Sequence, residues 1–189
     1  MDSARVTELT RELLLALGQD PDREGLRDTP LRVAQWWRDF FSQSSATNSA
    51  SFAETDLGGQ LIVVGNMSVW SLCEHHLLPM HLEVCVGYVP NGRVLGLSKF
   101  GRIARQCASR LQVQERFTSQ VLRAVSEATG SEHVAAVVRG EHLCMSMRGV
   151  RMESAQTTTV LSQGRLETDP TLSQRFLAFT GPSTMGRRQ

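Results

Sequence analysis

The sequence predicts an α+β fold on three observations. Helical periodicity opens the chain, period-two alternation fills its middle, and the elements run helices, strands, helices, strands, helix instead of alternating strand by helix. A length of 189 residues fits one domain, or one domain with a helical appendage.

Val6, Leu9, Leu13 and Leu17 recur at helical spacing, with Gly18 where a C-terminal cap belongs, so an amphipathic helix starts the chain. Thr29 as N-cap and Pro30 at the first helical position announce a second helix, whose apolar face is Val33, Trp37, Phe40 and Phe41. Residues 42–51 are rich in Ser, Asn and Ala without periodicity and read as a flexible connection. That boundary divides the chain into a helical segment over 1–51, a main domain over 52–180 and a tail over 181–189, which has little to bury and is expected to be disordered.

Beyond the boundary, Leu61 to Val64 is a short apolar run, and Leu82, Val84, Val86 and Tyr88 alternate with Glu83, Cys85 and Gly87 until Pro90 stops the strand. Asn91-Gly92 is a turn signal, so Val94 to Leu97 is expected to return as the hairpin partner. One helix follows with Phe100, Ile103, Cys107 and Leu111 on a face, then another with Phe117, Val121, Leu122 and Val125, closed by Gly130. His133 to Val138 and His142 to Val150 have strand character, as does Thr157 to Val160. Asp169 and Pro170 start a last short helix carrying Leu172, Phe176 and Phe179.

Composition excludes several classes of function. Twenty basic against nineteen acidic residues leave a net charge of +1, which argues against a domain built around the nucleic-acid backbone. No stretch approaches the roughly 20 apolar residues that span a bilayer, and the N-terminus has no secretory pattern, so a cytoplasmic protein without a membrane partner is expected. Four cysteines, Cys73, Cys85, Cys107 and Cys144, are too sparse for a disulfide framework. Cys85 and Cys107 read as small core hydrophobes, and His81 and His133 as surface or turn residues.

The chemistry-bearing residues concentrate in two clusters. Ser71-Leu72-Cys73-Glu74-His75-His76 contains a Cys-x-x-His pair, and His142-Leu143-Cys144 supplies a distant second thiolate. Two thiolates and one imidazole with an open fourth position suit catalytic zinc, while the spare histidines leave a closed structural site open. In an extended strand His142 and Cys144 share a face, so one can bind metal while the other reaches substrate. We assign Cys73, His76 and Cys144 to Zn²⁺ and leave His75 for proton transfer.

A second constellation is basic. Lys99 and Arg102 lie three apart at the start of a helix, and Arg148 follows four residues after Cys144. A helix N-terminus with Lys and Arg is a natural polyphosphate site, and a solvated basic face is the alternative. No Walker-type glycine loop is present. Glu115, beside Gln114, either accepts paired N–H donors from a guanine edge or is an acid favoured by a helix dipole.

Taken in order, Glu24 to Ala34 (EGLRDTPLRVA), Cys73 to Pro79 (CEHHLLP), Gly96 to Lys99 (GLSK), Gln112 to Arg116 (QVQER) and His142 to Arg151 (HLCMSMRGVR) resemble GTP cyclohydrolase I, over about Gly18 to Gly164. The resemblance implies a tunnelling fold, an antiparallel sheet with two helices on one face, assembled as a homodecamer of two stacked pentameric rings with active sites between subunits. It implies conversion of GTP and water to 7,8-dihydroneopterin triphosphate and formate, by hydrolytic opening of the purine at C8, ribose rearrangement and ring closure. By motif position, Cys73, His76 and Cys144 match zinc ligands, and His75 and His142 match catalytic histidines, His142 mainly as the acid at N7. Ser98, Lys99, Arg102 and Arg148 match ribose and triphosphate contacts, Arg32 comes from a neighbouring subunit, and Gln114 and Glu115 match the guanine-recognition pair.

Two departures carry expectations of their own. Met80 and Leu82 stand where the family has Phe and Gly, so an altered start of that strand is expected, and Ser173 and Arg175 change the last helix. A specialised paralogue serving a 7-deazapurine or other secondary pathway, and a non-catalytic zinc-containing nucleotide-binding regulator, are the competing readings.

Overall fold

A computed structural model describes residues 1–42, 51–53 and 59–181. The connection expected at 42–51 and the tail expected at 181–189 lie almost wholly outside the described residues. The chain divides into two compact units, Met1–Ser44 and Ser45–Gln189.

The first unit holds α1 (Ser3–Ala16) and α2 (Thr29–Phe41). Asp2 caps α1 by accepting from the Arg5 N–H, and Gly18 takes φ +73° just past its end. Pro30 sits in the first turn of α2 as expected, but Asp28 and not Thr29 occupies the N-cap position, without a side-chain cap bond. The loop between the helices is pinned by Arg11, whose guanidinium donates to both carboxylate oxygens of Asp22 at 2.9 and 2.6 Å.

The second unit contains β1 (Ser51–Ala53), β2 (Ile62–Cys73), β3 (Pro79–Tyr88), β4 (Arg93–Leu95), α3 (Leu97–Ala108), β5 (Leu111–Gln112) and α4 (Gln114–Thr129). These are followed by β6 (Val134–His142), α5 (Leu143–Ser146), β7 (Thr157–Gln163), α6 (Arg165–Thr168) and α7 (Pro170–Phe179). Its main sheet has the order β5-β2-β3-β6-β7, antiparallel throughout except for the short parallel pairing of β5 on β2.

Period-two alternation along β3 decides what covers each face. Leu82, Val84, Val86 and Tyr88 join Phe100 and Ala104 of α3 and Phe117, Val121 and Val125 of α4 in the larger core. Each buried Leu, Val or Phe side chain there contributes about 1.5–3 kcal/mol relative to exposure. The opposite face packs Cys85, Ala135 and Val137 against Leu166, Leu172 and Phe176 of the C-terminal helices. Cys85 and Cys107 are therefore buried hydrophobes, as expected, and burial pushes the Cys85 thiol up to about 11. The two helices on one face are α3 and α4, the arrangement that the resemblance implies.

Several expectations need correction. β4 pairs with β1 and not with β3, because both edges of β3 are already occupied by β2 and β6. Leu111 leaves the α3 face and starts β5. The apolar run at 61–64 extends through a bulge between Val64 and Met67 to Cys73, so the first cluster hangs on the end of a long strand. The segment after His142 is not a strand: His142 pairs with Met80 near the start of β3, no partner remains beyond it, and the chain turns into α5. The same-face reasoning for His142 and Cys144 therefore fails. Leu82 leaves the start of β3 regular, because it faces Gly140 across the sheet and is 0% exposed. Ser173 and Arg175 leave α7 formed, with Asp169 capping it and Leu172 and Phe176 buried. His81 is partly exposed, as a surface residue, but lies within β3 and not in a turn, stacked on Trp70 at 4.6 Å between ring centroids.

Candidate functional site

The loop from β2 to β3 carries the first cluster. The Cys73 N–H donates to Leu78 O and the Cys73 O accepts from the Leu77 N–H, both at 2.8 Å, while Leu77 takes the left-handed φ of +56°. This tight closure brings both histidine rings towards one thiol: Nδ1 of His76 lies 3.7 Å and Nδ1 of His75 lies 3.9 Å from Cys73 Sγ. The turn replaces regular structure here, which is how adjacent histidines approach the same atom.

Cys144 completes the cluster from α5. One donor atom each from Cys73, His76 and Cys144 lies within 4.8 Å of the others. Tetrahedral ligands at bond lengths of about 2.0–2.3 Å stand roughly 3.5 Å apart, so small side-chain adjustments place a metal ion at their centre. Cys73 is buried, Cys144 half-buried and His76 exposed, leaving one side open. Burial raises the Cys144 thiol above its ordinary value, the neighbouring Cys73 adds to this, and Arg148 opposes it. A cation reverses that preference and stabilises two adjacent thiolates. The donor set and its electrostatics thus fit a metal ion.

His142 ends β6 two residues before Cys144 and is half-buried. Its Nε2 lies 2.7 Å from Oε1 of Gln114, the first residue of α4. Burial holds its imidazole below the ordinary value, with the Glu115 carboxylate pulling it upward. Gln114 is buried, and its amide nitrogen donates towards Val138 O, Thr157 O and Thr159 Oγ1. Glu115 is exposed in the first turn of α4, where the helix dipole favours a carboxylate.

Sequence reasoning gave no role to a further network that the structure makes prominent. Arg116 pairs with Glu74 of the metal loop, and its Nε donates to Gln112 Oε1 at 3.0 Å. Gln112 is 0% exposed, accepts the Glu74 N–H on its backbone oxygen at 3.0 Å and donates to Cys107 O at 2.8 Å. These contacts tie the metal loop to β5 and α4. Glu74, Gln112 and Arg116 were within the recognisable motifs, which was the available signal.

The basic residues occupy two places in this unit. Ser98 and Lys99 stand in the first turn of α3, which carries no acidic side chain to oppose its dipole, and Arg102 lies one turn on. Arg148 follows α5 and acts on Cys144. Arg32 belongs to α2, in the other unit, where it pairs with Asp28 at 3.2 Å.

The family model described as GTP cyclohydrolase I matches residues 6–181. The chain is 42% identical to the GTP cyclohydrolase 1 of Deinococcus radiodurans, over 95% of this chain and 84% of that one. It is 40% identical to the GTP cyclohydrolase 1 of Hyperthermus butylicus, over 99% of this chain and 95% of that one. Among solved structures, the apo archaeosine synthase QueF-Like is similar over 55% of this chain, at 20% identity and a TM-score of 0.45.

Proposed function

The chain belongs to the GTP cyclohydrolase I family, and from that premise we propose that it converts GTP and water to 7,8-dihydroneopterin triphosphate and formate. The observation that carries this reading is the convergence of Cys73, His76 and Cys144 beside His142.

Cys73, His76 and Cys144 are the residues to hold Zn²⁺, which supplies a Lewis acid able to make water nucleophilic near neutral pH. Carbon C8 of a purine is a poor electrophile, so its hydrolysis also needs a proton at N7, and we assign its delivery to His142. Opening of the imidazole ring gives a formamide, and a second hydrolysis releases formate. His75, exposed beside the cluster, moves protons during ribose rearrangement and ring closure.

Binding falls to the surrounding charges. Glu115 accepts the N–H pair of the guanine edge. Ser98, Lys99, Arg102 and Arg148 hold the ribose and triphosphate, with the α3 N-terminus adding its dipole, so that the base is positioned at the metal. Arg32 reaches the site from another subunit of a homodecamer. The division into a helical segment over 1–51 and a catalytic domain over 52–180, and a cytoplasmic location, belong to the same proposal. No described helix is long and apolar enough to cross a membrane.

The test is direct. Zinc-loaded protein incubated with GTP should release formate and form a fluorescent pterin. A zinc-replete protein that binds GTP and releases no formate would sink the reading.

A further inference from the structure

Gln114 and His142 come from different elements and meet across a strand glycine. The orientation of the Gln114 amide follows from its surroundings. Its nitrogen lies 3.0 Å from Val138 O, 3.0 Å from Thr157 O and 3.2 Å from Thr159 Oγ1. Backbone carbonyls only accept, so the opposite orientation would press Oε1 against two oxygens with no proton between them. Oε1 therefore faces His142 Nε2, at 2.7 Å. An amide oxygen also only accepts, so Nε2 of His142 is the nitrogen that carries the proton.

The arrangement is built to stay. Gln114 is 1% exposed, and Thr118 Oγ1 donates to its backbone oxygen at 2.9 Å. Gly140 leaves the space in which the contact forms, since a Cβ there would fall on Gln114 Oε1. Both amide hydrogens of Gln114 are already satisfied inside the protein. Turning the side chain to a substrate would give up its bonds to Val138 O, Thr157 O and Thr159 Oγ1.

We propose that Gln114 is a positioning residue that fixes the ring of His142 in one orientation as the Nε2–H tautomer, so that guanine reading at this end of α4 falls to Glu115. This rests on the proposed reaction, in which His142 serves N7. It changes the role that the family resemblance implies for Gln114, from reading the base to orienting the acid. The Gln114 amide is itself fixed by Val138, Thr157 and Thr159, so its oxygen holds the His142 ring in one orientation.

The experiment uses zinc-loaded full-length protein and GTP. For Gln114→Met, the expected result is a fall in kcat of about 10- to 100-fold, with KM within about threefold of the parent and zinc content unchanged. In the double variant Gln114→Met/His142→Ala, kcat should be no lower than in His142→Ala alone, because Gln114 acts through the missing ring. A large rise in KM with kcat preserved, or full multiplication of the two losses, overturns the proposal in favour of base reading. A parent protein that releases no formate would instead overturn the proposed reaction. Should Gln114→Met fail to fold, ¹⁵N-histidine NMR of the unaltered zinc protein at about pH 8 decides alone. The His142 signal, assigned by its loss in His142→Ala, should show the Nε2–H tautomer, and an Nδ1–H form or a mixture contradicts the proposal.

Discussion

Gly140→Ala probes the packing that holds Gln114 against His142. The added Cβ would fall on Gln114 Oε1 and come within 2.9 Å of His142 Nε2 and of Leu82 Cδ2. None of these atoms yields cheaply, because Leu82 is fully buried and Gln114 is held by its amide to Val138, Thr157 and Thr159. Overpacking of this kind costs about 1–3 kcal/mol, and losing the bond between His142 and Gln114 adds about 1 kcal/mol. A total of about 3 kcal/mol, at 2–4 °C per kcal/mol for a chain of this size, lowers the melting temperature by roughly 6–12 °C. The assay is thermal unfolding by circular dichroism at fixed protein and zinc concentration, since both shift apparent stability by mass action. Formate release measured alongside should fall with it. A variant that melts within about 2 °C of the parent and turns over GTP at the parental rate would refute the reasoning.

Three further outcomes follow from the site. Cys144→Ser should lose bound zinc and activity together, whereas His142→Ala should keep zinc and retain only a small residual turnover; unchanged zinc stoichiometry in the serine variant would contradict the ligand assignment. Arg116→Gln removes the pair with Glu74 of the metal loop. With Arg116 exposed and Glu74 only partly so, the ion pair itself contributes no more than about 1 kcal/mol to stability, while zinc affinity measured by chelator competition should fall about tenfold; unaltered affinity argues against a clamp on the loop. The last outcome concerns pH. Burial holds His142 below its ordinary value against the pull of Glu115, so the unfolded chain takes up a proton at a higher pH than the folded chain. Zinc-free protein therefore keeps this contribution above the ordinary imidazole range and loses it as pH falls through that range. Between about pH 7.5 and 5.5 its melting temperature should drop more steeply than that of His142→Asn, and parallel profiles would contradict the assignment.

Much of this architecture was legible because its signals are local. The two sheet-covering helices announce themselves by periodicity, and Gly130 closes the second with φ +66° as a left-handed cap should. Cys73, His76 and Cys144 were named from donor chemistry and motif position, and the fold brings the three together. What failed depended on partners distant in sequence. The segment at Val94 has strand residues, but which strand it pairs with is decided by the occupied edges of β3. The stretch after His142 reads as extended, yet β3 begins at Pro79 and leaves it no ladder. The partnership of Gln114 with His142 spans 28 positions and depends on the missing Cβ of Gly140, which no window along the sequence contains. The same holds for Arg116 and Glu74, 42 positions apart.

Hydrolysis at the purine C8 is the central claim, and the fate of that carbon tests it most directly. With GTP carrying ¹³C at C8 and the zinc-loaded protein, ¹³C NMR should show the label leaving as formate, one per pterin formed, with none retained in the pterin. Label that stays in the purine, or formate released without label, would contradict the account.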